Sequence, residues 1–151
     1  MNEHIIQVNA AEFAIAGEDQ ILGANGVGSC VVVCLYERIK KIGALVHIML
    51  PYSEHNLENP FIFADTAIPL VLMDLEKIGI NKKMLEAHII GGASMFTEIE
   101  DYLKLGEQNQ EAAEQTLAHF GIPIKSKDVG GKMGRSVRFF LNSGEIQVSV
   151  K

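Results

Sequence analysis

The sequence predicts an α+β fold: a single-domain α/β sandwich in which packed β-sheets are covered by two or three helices. Three observations carry this expectation. The chain has 151 residues, which sets a prior of one domain, and residues 1–151 contain no linker, repeat or low-complexity run at which to divide it. Short apolar runs bounded by turn residues fill the first half and the end of the chain, whereas helical spacing appears only in interspersed stretches. The composition, 48% hydrophobic and 21% charged with a mean hydropathy of +0.16, suits a packed core rather than a disordered chain. A domain of this size buries roughly 68–70% of the surface its unfolded form exposes.

Taken in order, residues 5–8 and 13–15 are short apolar runs of strand character. Residues 20–22 lead into a Gly-rich bend, Gly23-Ala24-Asn25-Gly26-Val27-Gly28-Ser29. Residues 30–36 (CVVVCLY) are apolar on both faces, the pattern of a central strand. After a charged turn at 37–41 comes a second strand at 42–50, and the two predict a hairpin. Residues 51–60 form a polar loop. Ile68, Val71, Leu72, Leu75 and Ile78 follow helical spacing, with Asp65 as cap and Gly79 as stop. Pro69 fits this helix in its first turn, where a missing N–H costs little. Residues 85–90 read as a strand ending in Gly91-Gly92. A second helix covers 109–120, with Ala112, Ala113, Leu117 and Phe120 inward and Gly121 as stop. Residues 122–127 and 135–150 read as strands, the latter turning at Asn142-Ser143-Gly144.

Charge excludes one class of partner. Thirteen basic residues against nineteen acidic ones leave a net charge of -6, a poor match for a nucleic-acid backbone. The longest uncharged stretch, 20–36, is interrupted by Gly23, Gly26 and Gly28, and a membrane helix needs ~20 predominantly apolar residues, so no insertion is expected. The start, MNEHIIQVNA, lacks the basic and apolar regions of a signal peptide. A cytoplasmic location is the expectation. Cys30 and Cys34 fall on one predicted strand, about 13 Å apart at ~3.3 Å per residue and beyond the ~7 Å reach of a disulfide. Free thiols in a reducing compartment follow.

Of the two thiols, Cys30 has the setting for chemistry. It opens its strand directly after Gly-Val-Gly-Ser, where backbone N–H groups are exposed and a substrate can approach. Its aliphatic neighbours also suit a small buried hydrophobe. Cys34, deeper in the strand, reads as core. A nucleophilic thiol needs a base, and His47 on the neighbouring strand is the natural candidate; a lone histidine in LVHIML is more often a satisfied core residue. Hairpin pairing places Cys30 opposite Met49 or Leu50 and makes His47 a diagonal neighbour. The other histidines (His4, His55, His88, His119) lack ligand spacing, and Cys30, Cys34 and His47 cannot close on one zinc ion from a straight strand. No metal site is expected. Gly91-Gly92 and Gly130-Gly131 match no phosphate-loop pattern and read as turns.

Several blocks recur together in one known family. They are Gly28-Ser29-Cys30-Val31-Val32-Val33-Cys34-Leu35-Tyr36, Gly43-Ala44-Leu45-Val46-His47-Ile48-Met49-Leu50-Pro51 and Ala64-Asp65-Thr66-Ala67. Further on come Leu85-Glu86-Ala87-His88-Ile89-Ile90-Gly91-Gly92-Ala93-Ser94-Met95-Phe96, Asp128-Val129-Gly130-Gly131 and Gly134-Arg135-Ser136-Val137. In this order, across nearly the whole chain, they resemble the chemoreceptor glutamine deamidase family, CheD. The resemblance implies a cofactor-free cysteine hydrolase with the α/β sandwich of deamidating toxins. Its substrates would be glutamine side chains of methyl-accepting chemotaxis receptors, and its further partner a CheC-type phosphatase. By position, Cys30 is the implied nucleophile and His47 the implied base, with Gly28, Ser29 and Asn25 around the oxyanion or substrate cleft.

Two positions depart from the family pattern. The family usually has a threonine six residues before the cysteine, helping to orient the histidine; here that position is Ala24, leaving Asn25 or a main-chain carbonyl for the task. In the I-G-x-R-N block, here Leu105-Gly106-Glu107-Gln108-Asn109, Gln108 replaces the arginine. A weakened or inactive module that only docks receptors or a CheC-type phosphatase is therefore the alternative to a working deamidase. A different amidohydrolase and a purely structural protein are the other readings.

Overall fold

Burial along one strand reveals the layering. Every residue from Val31 to Glu37 is buried, as a strand covered on both faces requires. Val31, Val33 and Leu35 enter one aliphatic core, while Val32, Cys34 and Tyr36 enter a second on the opposite face. The computed structural model describes residues 4–54, 58–94 and 104–150. Its strands are β1 (Ile5–Gln7), β2 (Glu12–Ala16), β3 (Ile21–Val27), β4 (Val31–Glu37), β5 (Ile42–Ile48), β6 (Glu86–Gly91), β7 (Ile124–Val129), β8 (Arg135–Phe140) and β9 (Ile146–Val150). Its helices are α1 (Ala64–Lys77) and α2 (Leu105–His119), with short 3-10 turns at Pro60–Ile62 and Lys82–Met84.

Among the described residues the strands make two mixed sheets, β1-β3-β8-β9 and β2-β5-β4-β6-β7. The five-stranded sheet is the middle layer. One of its faces packs on Ile68, Val71 and Leu75 of α1 and on Ala113 and Leu117 of α2. Its other face meets Leu22, Ala24, Val137 and Phe139 of the four-stranded sheet. Fully burying one such leucine or phenylalanine is worth roughly 1.5–3 kcal/mol. The expected α+β sandwich is the fold observed, and among the described residues no helix is long and apolar enough to cross a membrane.

Several boundaries differ from expectation. The supposed bend at 23–29 is largely strand: β3 continues to Val27, pairing with β1 and β8 through a bulge between Ala24 and Val27. Only Gly28, Ser29 and Cys30 bend, so Cys30 lies just outside β4 rather than opening it. Asp65 is not the cap of α1; Phe63 holds that place, and Asp65 accepts from Ser53 N at 2.9 Å and from Ser53 Oγ at 3.3 Å. Pro69 sits beyond the first turn and, having no N–H, removes one rung; inward Ile68 and Leu72 hold the helix against the core on both sides of it. Ile78 terminates the helix and is 53% exposed, outside the buried stripe. Helix α2 starts four residues before Asn109. The polar run Glu107-Gln108-Asn109-Gln110 hides that first turn in the sequence. Gly106 permits it, since a Cβ there would lie within 3 Å of the Gly92 and Ala93 carbonyl oxygens.

Candidate active site

The β4–β5 hairpin carries His47, and Cys30 directly precedes its first strand. Its ladder runs from Glu37–Ile42 to Val31–Ile48, with Val32 opposite His47. Continued one step, the register puts Cys30 opposite Met49 and makes His47 its diagonal neighbour. Alternation then places Cys30, Val32 and His47 on one face, toward the four-stranded sheet, and Cys30 does pack against that core. Diagonal neighbours on a sheet lie within reach of long and aromatic side chains.

The two cysteines differ as their positions suggested. Neither forms a disulfide; Cys30 is half-buried and Cys34 fully buried. Burial pushes the Cys34 thiol far above the ordinary thiol range, so it stays protonated and inert.

His47 is 3% exposed, and its Nδ1 lies 3.0 Å from the Val8 carbonyl oxygen. A carbonyl can only accept, so Nδ1 carries the hydrogen and Nε2 keeps its lone pair. Nε2 is buried and meets no hydrogen-bond partner among the described residues. Burial lowers the pKa below the ordinary 6.5, opposed in part by the Val8 bond and by the charge of Glu12. At neutral pH the ring is uncharged and has an unused acceptor. That is the state of a base at rest.

The group that orients His47 is therefore a main-chain carbonyl. Val8 follows β1, whose parallel pairing with β3 continues through Val8 N donating to Gly23 O at 2.8 Å. This brings Val8 alongside Ala24, which is fully buried between the sheets. Asn25 is not brought to the histidine. It is exposed, donates from Nδ2 to Gln7 Oε1 at 3.3 Å, and lines a separate concavity with Gln7, Arg138 and Gln147. Alternation turns it to the outer side of the four-stranded sheet, opposite to Ala24.

The segment before Cys30 is held by its carbonyls. Ala93 N donates to Gly28 O at 2.9 Å and Gly92 N to Cys30 O at 2.8 Å. Asn109 Nδ2 donates to Ser29 O at 2.8 Å and to Met49 O at 3.0 Å. Sequence reasoning missed both Val8 and Asn109. The helical stripe of Ala112, Ala113, Leu117, carried back one turn, lands on Asn109, a signal that could have marked it as buried. Gln108, by contrast, is exposed on α2. A cavity of about 290 Å³ opens beside this frame between Gly92, Ala93, Gly106 and Gly131, and neither Cys30 nor His47 lines it.

Gly91 fixes how closely β6 approaches the bend. Its φ is +113°, and a Cβ would fall within 3 Å of the Cys30 carbonyl oxygen and the Val27 side chain. Gly91→Ala combines that clash with backbone strain of order 1–3 kcal/mol. The expected result is a Tm at least about 2 °C lower, at 2–4 °C per kcal/mol for a chain of this size. A thermal scan superimposing on that of the wild type would contradict it.

The remaining described histidines have other surroundings. His88 Nδ1 lies 2.6 Å from Ser126 Oγ and its Nε2 3.0 Å from Glu86 Oε2, with Arg38 bound to the same carboxylate at 2.7 and 3.0 Å. His119 stacks edge-on against Phe120, and His4 is exposed. His55 lies outside the described residues, as do Met95 and Phe96 of the family-like blocks.

Fold and site together define an α+β sandwich domain with a half-buried cysteine and an oriented, neutral histidine on one face of its middle sheet. The chain belongs to the CheD family: the family described as CheD chemotactic sensory transduction matches residues 49–150. It is 42% identical over 147 residues to the probable chemoreceptor glutamine deamidase CheD of Clostridium kluyveri, covering 95% of this chain and 91% of that one. The protein of the same name from Clostridium novyi is 41% identical over 152 residues, with 98% and 94% covered. That from Pyrococcus abyssi is 36% identical over 146 residues, with 95% and 90% covered.

Proposed function

We propose that this chain hydrolyses the side-chain amide of glutamine residues on methyl-accepting chemotaxis receptors, with Cys30 as nucleophile and His47 as base. The observation that carries this reading is the His47 ring, held by the Val8 carbonyl through Nδ1–H with Nε2 left as acceptor. It also answers the departure at Ala24, because the orienting acceptor comes from the main chain. The names borne by the relatives supply the substrate class.

In the proposed sequence, His47 Nε2 takes the Cys30 proton and the thiolate attacks the glutamine amide carbon. The oxyanion forms against the Gly28–Ser29–Cys30 bend, where each aligned donor is worth ~3–4 kcal/mol. The imidazolium returns its proton to the amide nitrogen, which leaves as ammonia, and a thioester remains. Water, deprotonated by the same Nε2, attacks the thioester; glutamate departs and the thiol is restored. The sum is amide plus water giving carboxylic acid plus ammonia. Metals and organic cofactors have no part in it. A CheC-type phosphatase is the second partner that family membership suggests.

The test is to incubate receptor cytoplasmic helices with the protein and follow amide-to-acid mass shifts together with released ammonia. Both are expected at specific glutamines and in equal amounts. Receptor binding without either product would leave a docking module and overturn the reading. Release from free glutamine but not from receptors would point to a different amidohydrolase.

A further inference from the structure

We infer that Asn109 is a positioning residue that holds the Cys30 and His47 strand ends in register, a role that rests on the reading of those two side chains proposed above. The β4–β5 ladder stops at the Val31–Ile48 pair. Just beyond it, Met49 N–H turns away to Ile62 O at 3.0 Å. At this point one side-chain amide spans the two strands: Asn109 Nδ2 donates to Ser29 O at 2.8 Å and to Met49 O at 3.0 Å. Both acceptors are carbonyls, so both amide hydrogens are used and the orientation of the group is fixed.

Its leverage on the thiol is covalent. A trans peptide is planar, so holding the Ser29 carbonyl sets the plane that ends at the Cys30 nitrogen and Cα. That in turn aims the Cys30 side chain. The second bond anchors β5 two residues past His47. Asn109 is itself fully buried on the helix-facing side of the sheet, so it acts through Cys30 and His47 rather than on substrate. The arrangement also carries a cost. Asn109 Oδ1 is buried with no hydrogen-bond partner among the described residues, and an unsatisfied buried acceptor in a native protein calls for an explanation. An apolar residue would pack there without that penalty but could not bridge the two carbonyls.

The experiment compares the full-length wild type with Asn109→Asp, Asn109→Leu and Thr116→Val. Aspartate keeps the shape but presents oxygen to both carbonyls; leucine removes the donors and the orphaned acceptor together. Thr116 is a buried polar residue on the same helix, bonded to Ala112 O within it at 2.7 Å, and its variant controls for helix destabilisation. Two readouts are taken: kcat and KM on receptor helices, and the iodoacetamide alkylation rate at Cys30, located by mass spectrometry, at pH 7 relative to pH 9.5. For both Asn109 variants, kcat is expected to fall about 10²-fold with KM nearly unchanged, the scale of a ~1 Å misplacement, and the alkylation ratio to fall with it. Thr116→Val is expected to move neither. Folded Asn109 variants with the wild-type kcat and alkylation ratio would overturn the inference. So would failure of both variants to fold, which would make Asn109 a folding determinant instead. If the wild type releases no ammonia from receptors, it is the functional reading that fails, and the alkylation ratio still reports on Asn109.

Discussion

Replacing Cys30 by alanine is expected to reduce ammonia release from receptor helices by at least about 10³-fold, because it removes the protein atom proposed to bond to the amide carbon and expel ammonia. Binding of the receptor should survive, since the substitution deletes one sulfur atom at a half-buried position. The informative partner is Cys34→Ala. Its thiol is sealed in the core and held protonated by burial, so that variant should lose stability through the small cavity it leaves while retaining its turnover. Initial rates at saturating substrate, beside thermal unfolding, separate the two outcomes. A Cys30→Ala protein with full activity, or a Cys34→Ala protein that is folded and inactive, would refute the assignment of the nucleophile.

The second large effect belongs to His47. His47→Gln keeps a polar side chain in the strand but removes the proton acceptor, and kcat/KM is expected to fall between about 10² and 10⁴-fold. The pH dependence gives the sharper test. Burial lowers the pKa of His47 below 6.5, so the neutral, base-competent ring persists at pH 7 and is lost only as the pH falls below that value. The wild-type kcat/KM should therefore hold down to pH 6.5 and decline on the acid side of it. The glutamine variant should lack this limb. An acid limb centred well above 6.5 would mean that another group sets the profile.

Much of this was legible in the linear chain, for reasons that particular residues make plain. The alternation of Val31, Val33 and Leu35 with Val32, Cys34 and Tyr36 is apolar in both registers, which only a doubly covered strand tolerates. Cys30 stood apart from Cys34 because glycine and serine precede it, and the hairpin turn already placed His47 diagonally across from it. Less legible was the extent of β3. Gly23 and Gly26 read as a bend, yet β1 and β8 supply ladder partners along most of the segment. The first turn of α2 was hidden for a similar reason: its polar residues show no apolar period, and its place depends on close approach of Gly106 to Gly92 and Ala93.

A single α+β sandwich, its hairpin, and the contrast between one thiol at a bend and another in mid-strand all follow from short-range pattern, because burial period and turn residues are written locally. The acceptor for His47 and the clamp on the Cys30 peptide are not. Val8 lies 39 residues from His47, and Asn109 lies 80 and 60 residues from the two carbonyls it joins. A backbone carbonyl is the same on every residue, so no letter in the sequence distinguishes Val8. Its use as a histidine partner arises only when the two sheets stack and bring β1 over the end of β5.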